Sequence, residues 1–152
     1  GSDKIILVAH SMGGLVTREY MSLFGANSLE KVIFVNVPHN GVEGRVKKYC
    51  SVIGASKECE DLSKGSVFLN RINSKSLPEG IPFFNFQSKG CMMDNNQDGD
   101  GIVTLENSFL ERAETIVIEG KCTDSINANL HSDVLDPDLY LDLLEELKEI
   151  LK

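Results

Sequence analysis

Lys4-Ile5-Ile6-Leu7-Val8-Ala9-His10-Ser11-Met12-Gly13-Gly14-Leu15-Val16 reads as a strand, a sharp turn and the start of a helix in immediate succession. Ile5 to Val8 form an apolar run of strand type, the run breaks at a single serine, and a helical pattern opens after Gly13-Gly14. A turn this abrupt forces its apex residue into a strained backbone conformation, and only small neighbours let the chain pass. The Ser11 hydroxyl would then stand clear of the sheet beside the N-terminus of the helix. There the Met12 N–H and the positive end of the helix dipole can meet negative charge. The plainer alternative is a buried serine in an ordinary strand–helix turn.

Outward from this stretch, strands and helices alternate. Lys4–Ala9 is the first strand and Leu15–Phe24 its helix, ended by Gly25. Lys31–Val37 is a near-continuous apolar run, as in a strand of a parallel sheet covered on both faces. Val42–Ser63 is mixed and polar, a helix plus loop whose Val42, Val46, Tyr49, Val52 and Ile53 would shape a pocket or join the core. Ser66–Ile72 reads as a helix started by Gly65 and Ser66, Ile81–Gln87 as a third strand and Thr115–Ile118 as a fourth. Pro137–Leu151 reads as a helix capped by Asp136, with Pro137 in its first position and Tyr140, Leu143, Leu144, Leu147, Ile150 and Leu151 on one apolar face. The pattern predicts an α/β fold: a mostly parallel sheet of about four strands with flanking helices, in one domain spanning residues 1–152.

Composition bounds the function. A chain of 152 residues with 41% hydrophobic content can bury a real core, roughly two-thirds of its unfolded surface. The net charge of −8 argues against nucleic acid and against an electrostatic hold on anionic membranes. No apolar stretch approaches the roughly 20 residues of a membrane span. Cys50, Cys59, Cys91 and Cys122 fit no zinc spacing. Two disulfides or four reduced thiols are both compatible with them, and paired cysteines would favour an oxidising, extracytoplasmic compartment.

Ala9-His10-Ser11-Met12-Gly13, with a strand before it and Gly-Gly and a helix after it, resembles the nucleophile elbow of the α/β-hydrolase family, in its lipase and esterase branch. Alanine stands where most members carry the first glycine. The resemblance implies a Ser-acid-His triad in that chain order, with Ser11 as nucleophile and the Met12 N–H in the oxyanion hole. Of the three histidines, His10 adjoins the nucleophile with its side chain turned the other way, and His39 precedes every plausible acid. His131, in Asn129-Leu130-His131-Ser132-Asp133, a polar loop before the terminal helix, is left as the base. Asp100 in Asp98-Gly99-Asp100-Gly101-Ile102-Val103 matches the family's Asp-x-Ile-Val pattern and is the expected acid. Asp98 is the alternative, and Asp124 and Asp133 read as solvated charges. Gly65-Ser66 and the Phe68-Leu69 that follows also resemble a segment of lipase relatives ahead of the acid-bearing strand.

The implied activity is a serine ester hydrolase acting on an ester or lipid substrate, with no cofactor required. An acyltransferase or thioesterase sharing the triad is the neighbouring reading. A non-catalytic module is a third, because Asp94, Asn96 and Asp98 reproduce the start of a calcium loop. Its second half fails at Gly101 and Leu105. Complete members of the family carry several strands ahead of the elbow, and a loop among them supplies the second oxyanion donor. Losing one such donor costs on the order of 3 kcal/mol of transition-state stabilisation. This chain therefore corresponds to the C-terminal half of the domain. The expectation is that it lacks the N-terminal strands as part of a longer hydrolase, or that a partner chain pairs with the elbow strand.

Overall fold

The computed structural model describes residues 3–44, 56–122 and 130–152. Cys50, Asp124 and Asn129, together with Val46, Tyr49, Val52 and Ile53, lie outside the described residues. Four strands, β1 (Ile5–His10), β2 (Leu29–Val35), β3 (Phe83–Lys89) and β6 (Glu114–Glu119), form one sheet in the order β1-β2-β3-β6. All three pairings are parallel, and one register row runs Ala9, Phe34, Asn85, Thr115. This is the expected α/β fold.

The centre of the sheet explains the apolar runs. Val32, Ile33, Phe34 and Val35 of β2 are all at 0% exposure. Val32 and Phe34 pack with Ala9, Leu15, Met21, Leu69 and Ile72. Ile33 and Val35 pack with Phe86, Ile118, Leu130, Val134 and Leu143 on the other side. The split by alternate residues is the two-residue period of a strand. Each such side chain contributes about 1.5–3 kcal/mol by leaving water. Helices α1 (Met12–Phe24) and α3 (Val67–Asn73) cover the first face. Helices α5 (Leu130–Asp133) and α6 (Leu141–Ile150) cover the second. A short helix α2 (Ser56–Asp61) precedes α3.

Several boundaries follow local chemistry as expected. Gly25, at φ 78°, ends α1 by donating its N–H to Met21 O at 2.9 Å. Ser66 starts α3, its hydroxyl oxygen accepting from the Leu69 N–H at 3.1 Å. The C-terminal helix differs from expectation. Asp136 and Pro137 open only a turn, in which the Tyr140 N–H donates to Asp136 O at 2.9 Å. Tyr140 itself, at φ −131° and ψ 78°, interrupts the spiral, and α6 starts at Leu141. The interruption sets Tyr140 against the second core cluster with Leu147 and Ile150, and tertiary packing outweighs the helix-start signal. Leu151 is 48% exposed and does not extend the buried face.

The loop between β3 and β6 carries structure too short for periodicity to reveal. A two-stranded antiparallel hairpin joins β4 (Cys91–Met92) to β5 (Asp98–Gly99). A four-residue helix α4 (Leu105–Ser108) follows, capped by Thr104. Cys91 is disulfide-bonded to Cys122, tying this loop to the chain beyond β6, and Cys59 is also disulfide-bonded.

At the opposite edge, β1 pairs with β2 alone among the described residues. Ile5 (56%) and Val8 (52%) are exposed there, and α1 presents an exposed apolar stripe of Val16, Tyr20, Leu23 and Phe24. Among the described residues no helix is long and apolar enough to cross a membrane.

Candidate active site

The four parallel strands end on the same side of the sheet, where Ser11 directly after β1, Asp100 in the loop that follows β3 and the β4–β5 hairpin, and His131 beyond β6 build the site. Ser11 follows β1 with φ 52° and ψ −133°. A non-glycine residue there carries about 1–3 kcal/mol of backbone strain, held only because the surroundings over-determine it. Its N–H donates to Val35 O at 3.0 Å and its carbonyl accepts from Gly14 N at 3.0 Å. The apex is thus pinned between sheet and helix. The Met12 N–H, first in α1, has no acceptor within the helix and lies next to the Ser11 hydroxyl in sequence.

The two glycines of the elbow are not equivalent. A Cβ on Gly14 would lie 2.3 Å from Val37 Cγ2, whereas one on Gly13 would meet nothing within 4 Å. Gly14→Ala should therefore destabilise the fold by about 1–3 kcal/mol through overpacking. Gly13→Ala should be neutral, or stabilising by up to about 1 kcal/mol from helix propensity. Urea denaturation of the two variants tests this; equal midpoints would mean that close packing of α1 on Val37 does not govern the turn.

The Ser11 hydroxyl donates to His131 Nε2 at 2.8 Å, and the His131 Nδ1–H donates to Asp100 Oδ2 at 2.7 Å. Asp100 (1% exposed) and His131 (6%) are buried. The Asp-x-Ile-Val sequence has a mechanical basis. Asp100 Oδ1 accepts from the N–H groups of Ile102 (2.8 Å) and Val103 (2.7 Å), a side-chain turn that locks the carboxylate and frees Oδ2 for the imidazole. Backbone joins them too, since the His131 N–H donates to Asp100 O at 2.9 Å. The fold thus brings Ser11, Asp100 and His131 into one hydrogen-bonded row, although His131 stands on the short helix α5 and not in the loop expected.

Asp98, the alternative acid, is engaged elsewhere: its Oδ1 accepts from the N–H groups of Gly90 (2.7 Å) and Gly99 (2.8 Å) and so closes the β4–β5 hairpin. Of the three residues suggested as calcium ligands, Asp94 and Asn96 lie on a 3-10 turn and Asp98 on β5. Among the described residues no three His, Cys, Asp or Glu side chains converge as a metal-binding group.

His10 is the residue that reasoning from sequence passed over. It does not meet the Ser11 hydroxyl, as strand alternation requires. Its Nε2–H instead donates to the backbone oxygen of His131 at 2.8 Å, and the two rings lie 4.8 Å apart. No local signal could reveal a contact across 121 positions of chain. Burial holds the His10 pKa below its ordinary value, against the opposing pull of the hydrogen bond to the His131 carbonyl.

His39 lies apart from this row, packed edge-on against Phe34 with its Nδ1 accepting from Arg18 Nη1 at 3.4 Å. Burial lowers Arg18 to about 10. Burial and the Arg18 charge together push His39 well below the usual 6.5. The unfolded chain therefore binds a proton at His39 below pH 6.5 that the folded chain refuses, so stability falls as pH drops from 6.5. One such group imposes a slope of up to about 1.4 kcal/mol per pH unit. Urea midpoints between pH 6.5 and 5 should fall less steeply in His39→Gln than in the wild type, and parallel slopes would contradict a buried neutral His39.

Comparison with known proteins agrees with this architecture. Residues 2–121 match the model of a family described as "Alpha/beta hydrolase of unknown function (DUF915)". No curated protein matches the chain. Among solved structures, the mature form of lipase BlEst2 from Bacillus licheniformis aligns at a TM-score of 0.63 and 16% identity, over 95% of this chain and 65% of that one. Phospholipase PlaB from Legionella pneumophila aligns at a TM-score of 0.53 and 16% identity, over 70% of this chain and 29% of that one. At these identities the likeness is one of fold. The chain spans about 65% of the length of the lipase.

Proposed function

The chain belongs to the DUF915 family of α/β-hydrolases, and on that premise we propose that it is a serine ester hydrolase of lipase or carboxylesterase type. The observation that carries the reading is the row Ser11 Oγ, His131 Nε2, His131 Nδ1, Asp100 Oδ2, with links of 2.8 and 2.7 Å, beginning at an apex strained to φ 52°.

Ser11 Oγ attacks the acyl carbonyl carbon while its proton passes to His131 Nε2. The carbonyl π electrons move onto oxygen, and the Met12 N–H donates to the resulting oxyanion. Asp100 keeps the ring in the tautomer that accepts at Nε2 and stabilises the imidazolium that forms. Collapse of the tetrahedral intermediate breaks the ester C–O bond, and His131 returns the proton to the departing alcohol. Water then enters with His131 as base, the acyl–Ser11 bond breaks, and the carboxylic acid leaves. No cofactor is needed for any step.

The exposed edge of β1 (Ile5 56%, Val8 52%) and the Val16 stripe of α1 would invite aggregation if left bare. They fit further strands, from the same polypeptide or a partner, that would also bring a second oxyanion donor.

The reading is tested by incubating the protein with an alkyl organophosphonate p-nitrophenyl ester and mapping the adduct by peptide mass spectrometry. A single adduct at Ser11, with turnover of p-nitrophenyl butyrate, is expected. An adduct elsewhere, or neither adduct nor turnover, would overturn it.

A further inference from the structure

His131 stands on a helix of four residues, Leu130–Asp133, and a single turn supplies little rigidity of its own. Its ring nevertheless has to stay within about 3 Å of the Ser11 oxygen for proton transfer. The backbone oxygen of His131 is held from two sides: the His10 Nε2–H donates to it at 2.8 Å and the Asn36 Nδ2–H at 3.2 Å. Asn36 is itself fixed. Its N–H donates to Phe86 O at 2.9 Å, its Oδ1 accepts from Ser88 N at 2.9 Å, and it sits at φ 49° just past β2. His10, last residue of β1, stands in register beside Val35. The carbonyl is thereby referenced to β1, β2 and β3 together.

From this geometry we infer that His10 is a positioning residue that, with Asn36, clamps the His131 carbonyl and aims the His131 ring at Ser11. The inference rests on the hydrolase reading above. His10 is suited to the task in its neutral form, because the Nε2–H is the donor the carbonyl needs. The groups facing it are His131 and Asp100, and burial disfavours a second cation beside the imidazolium that forms on His131. Ser11 follows directly on His10 in sequence, so the residue that steers the base is coupled to the nucleophile through one peptide unit.

The variants His10→Ala and His10→Gln separate positioning from bulk. Glutamine carries its amide nitrogen at a reach similar to that of imidazole Nε2 and can donate to the same carbonyl. With p-nitrophenyl butyrate as probe, His10→Ala should lower kcat about 10- to 100-fold at nearly constant KM, the usual cost of a base misplaced by about an ångström. His10→Gln should recover most of the loss. His10→Leu, which keeps volume and lacks a donor, should behave as His10→Ala and serves if the alanine variant does not fold. Urea midpoints confirm that the variants compared are folded. Wild-type kcat in a folded donor-less variant overturns the inference alone, as does a folded His10→Gln no better than its donor-less counterparts. A wild-type protein that neither turns over the ester nor takes the phosphonate at Ser11 overturns the hydrolase reading and this inference with it.

Discussion

Ser11→Ala should reduce kcat on p-nitrophenyl butyrate by roughly 10⁴- to 10⁶-fold, because in the proposed mechanism removal of the nucleophile leaves only binding and oxyanion stabilisation. KM should change little. The folded state should survive, since the elbow is held by backbone bonds from Ser11 N to Val35 O and from Gly14 N to Ser11 O, which alanine keeps. The strain at φ 52° persists in the variant as well, so no large gain in stability is expected. Covalent labelling by the phosphonate should vanish in parallel with activity. Full labelling of the alanine variant would mean that another hydroxyl is the nucleophile, whatever the geometry around residue 11.

The next largest effect should come from Asp100→Asn, which should lower kcat by about 10⁴-fold, as expected when the orienting carboxylate of such a triad becomes an amide. Asparagine can still accept from the Ile102 and Val103 N–H groups through Oδ1. Its NH₂ then faces His131 Nδ1. That favours the opposite tautomer, with a proton on Nε2, where it cannot take one from Ser11. The loss should therefore appear in kcat with folding intact. Asp98→Asn is the paired control. The asparagine oxygen can keep the bonds from Gly90 and Gly99, so activity should stay within a few-fold of wild type. Reversal of the two results would move the acid to Asp98.

How much of this site was legible beforehand differs residue by residue. Ser11 announces itself because strand, apex and Gly-Gly are contiguous, and local sterics alone demand the turn. The second glycine is required by the side chain of Val37, which is 0% exposed, and the first is not; both look alike in sequence. Asp100 and Asp98 occupy one Gly-spaced loop and differ only in which N–H groups their carboxylates meet. His131 was selectable through chain order, yet its place on a helical turn was not, because a four-residue helix leaves no periodicity to read. The same holds for the hairpin of Cys91–Met92 and Asp98–Gly99.

The long apolar runs, the Ser11 turn and the cap at Ser66 follow from forces acting within a few residues: alternation of side chains, backbone sterics and local donors seeking acceptors. Those forces were enough to prescribe a parallel sheet with helices on both faces. Contacts between distant segments obey no such short-range rule. That Asp100 and not Asp98 meets His131, that His10 and Asn36 hold its carbonyl, and that Tyr140 interrupts the last helix are decided only when β1, β2 and β3 lie side by side. Their packed interiors then leave each polar group one partner within reach.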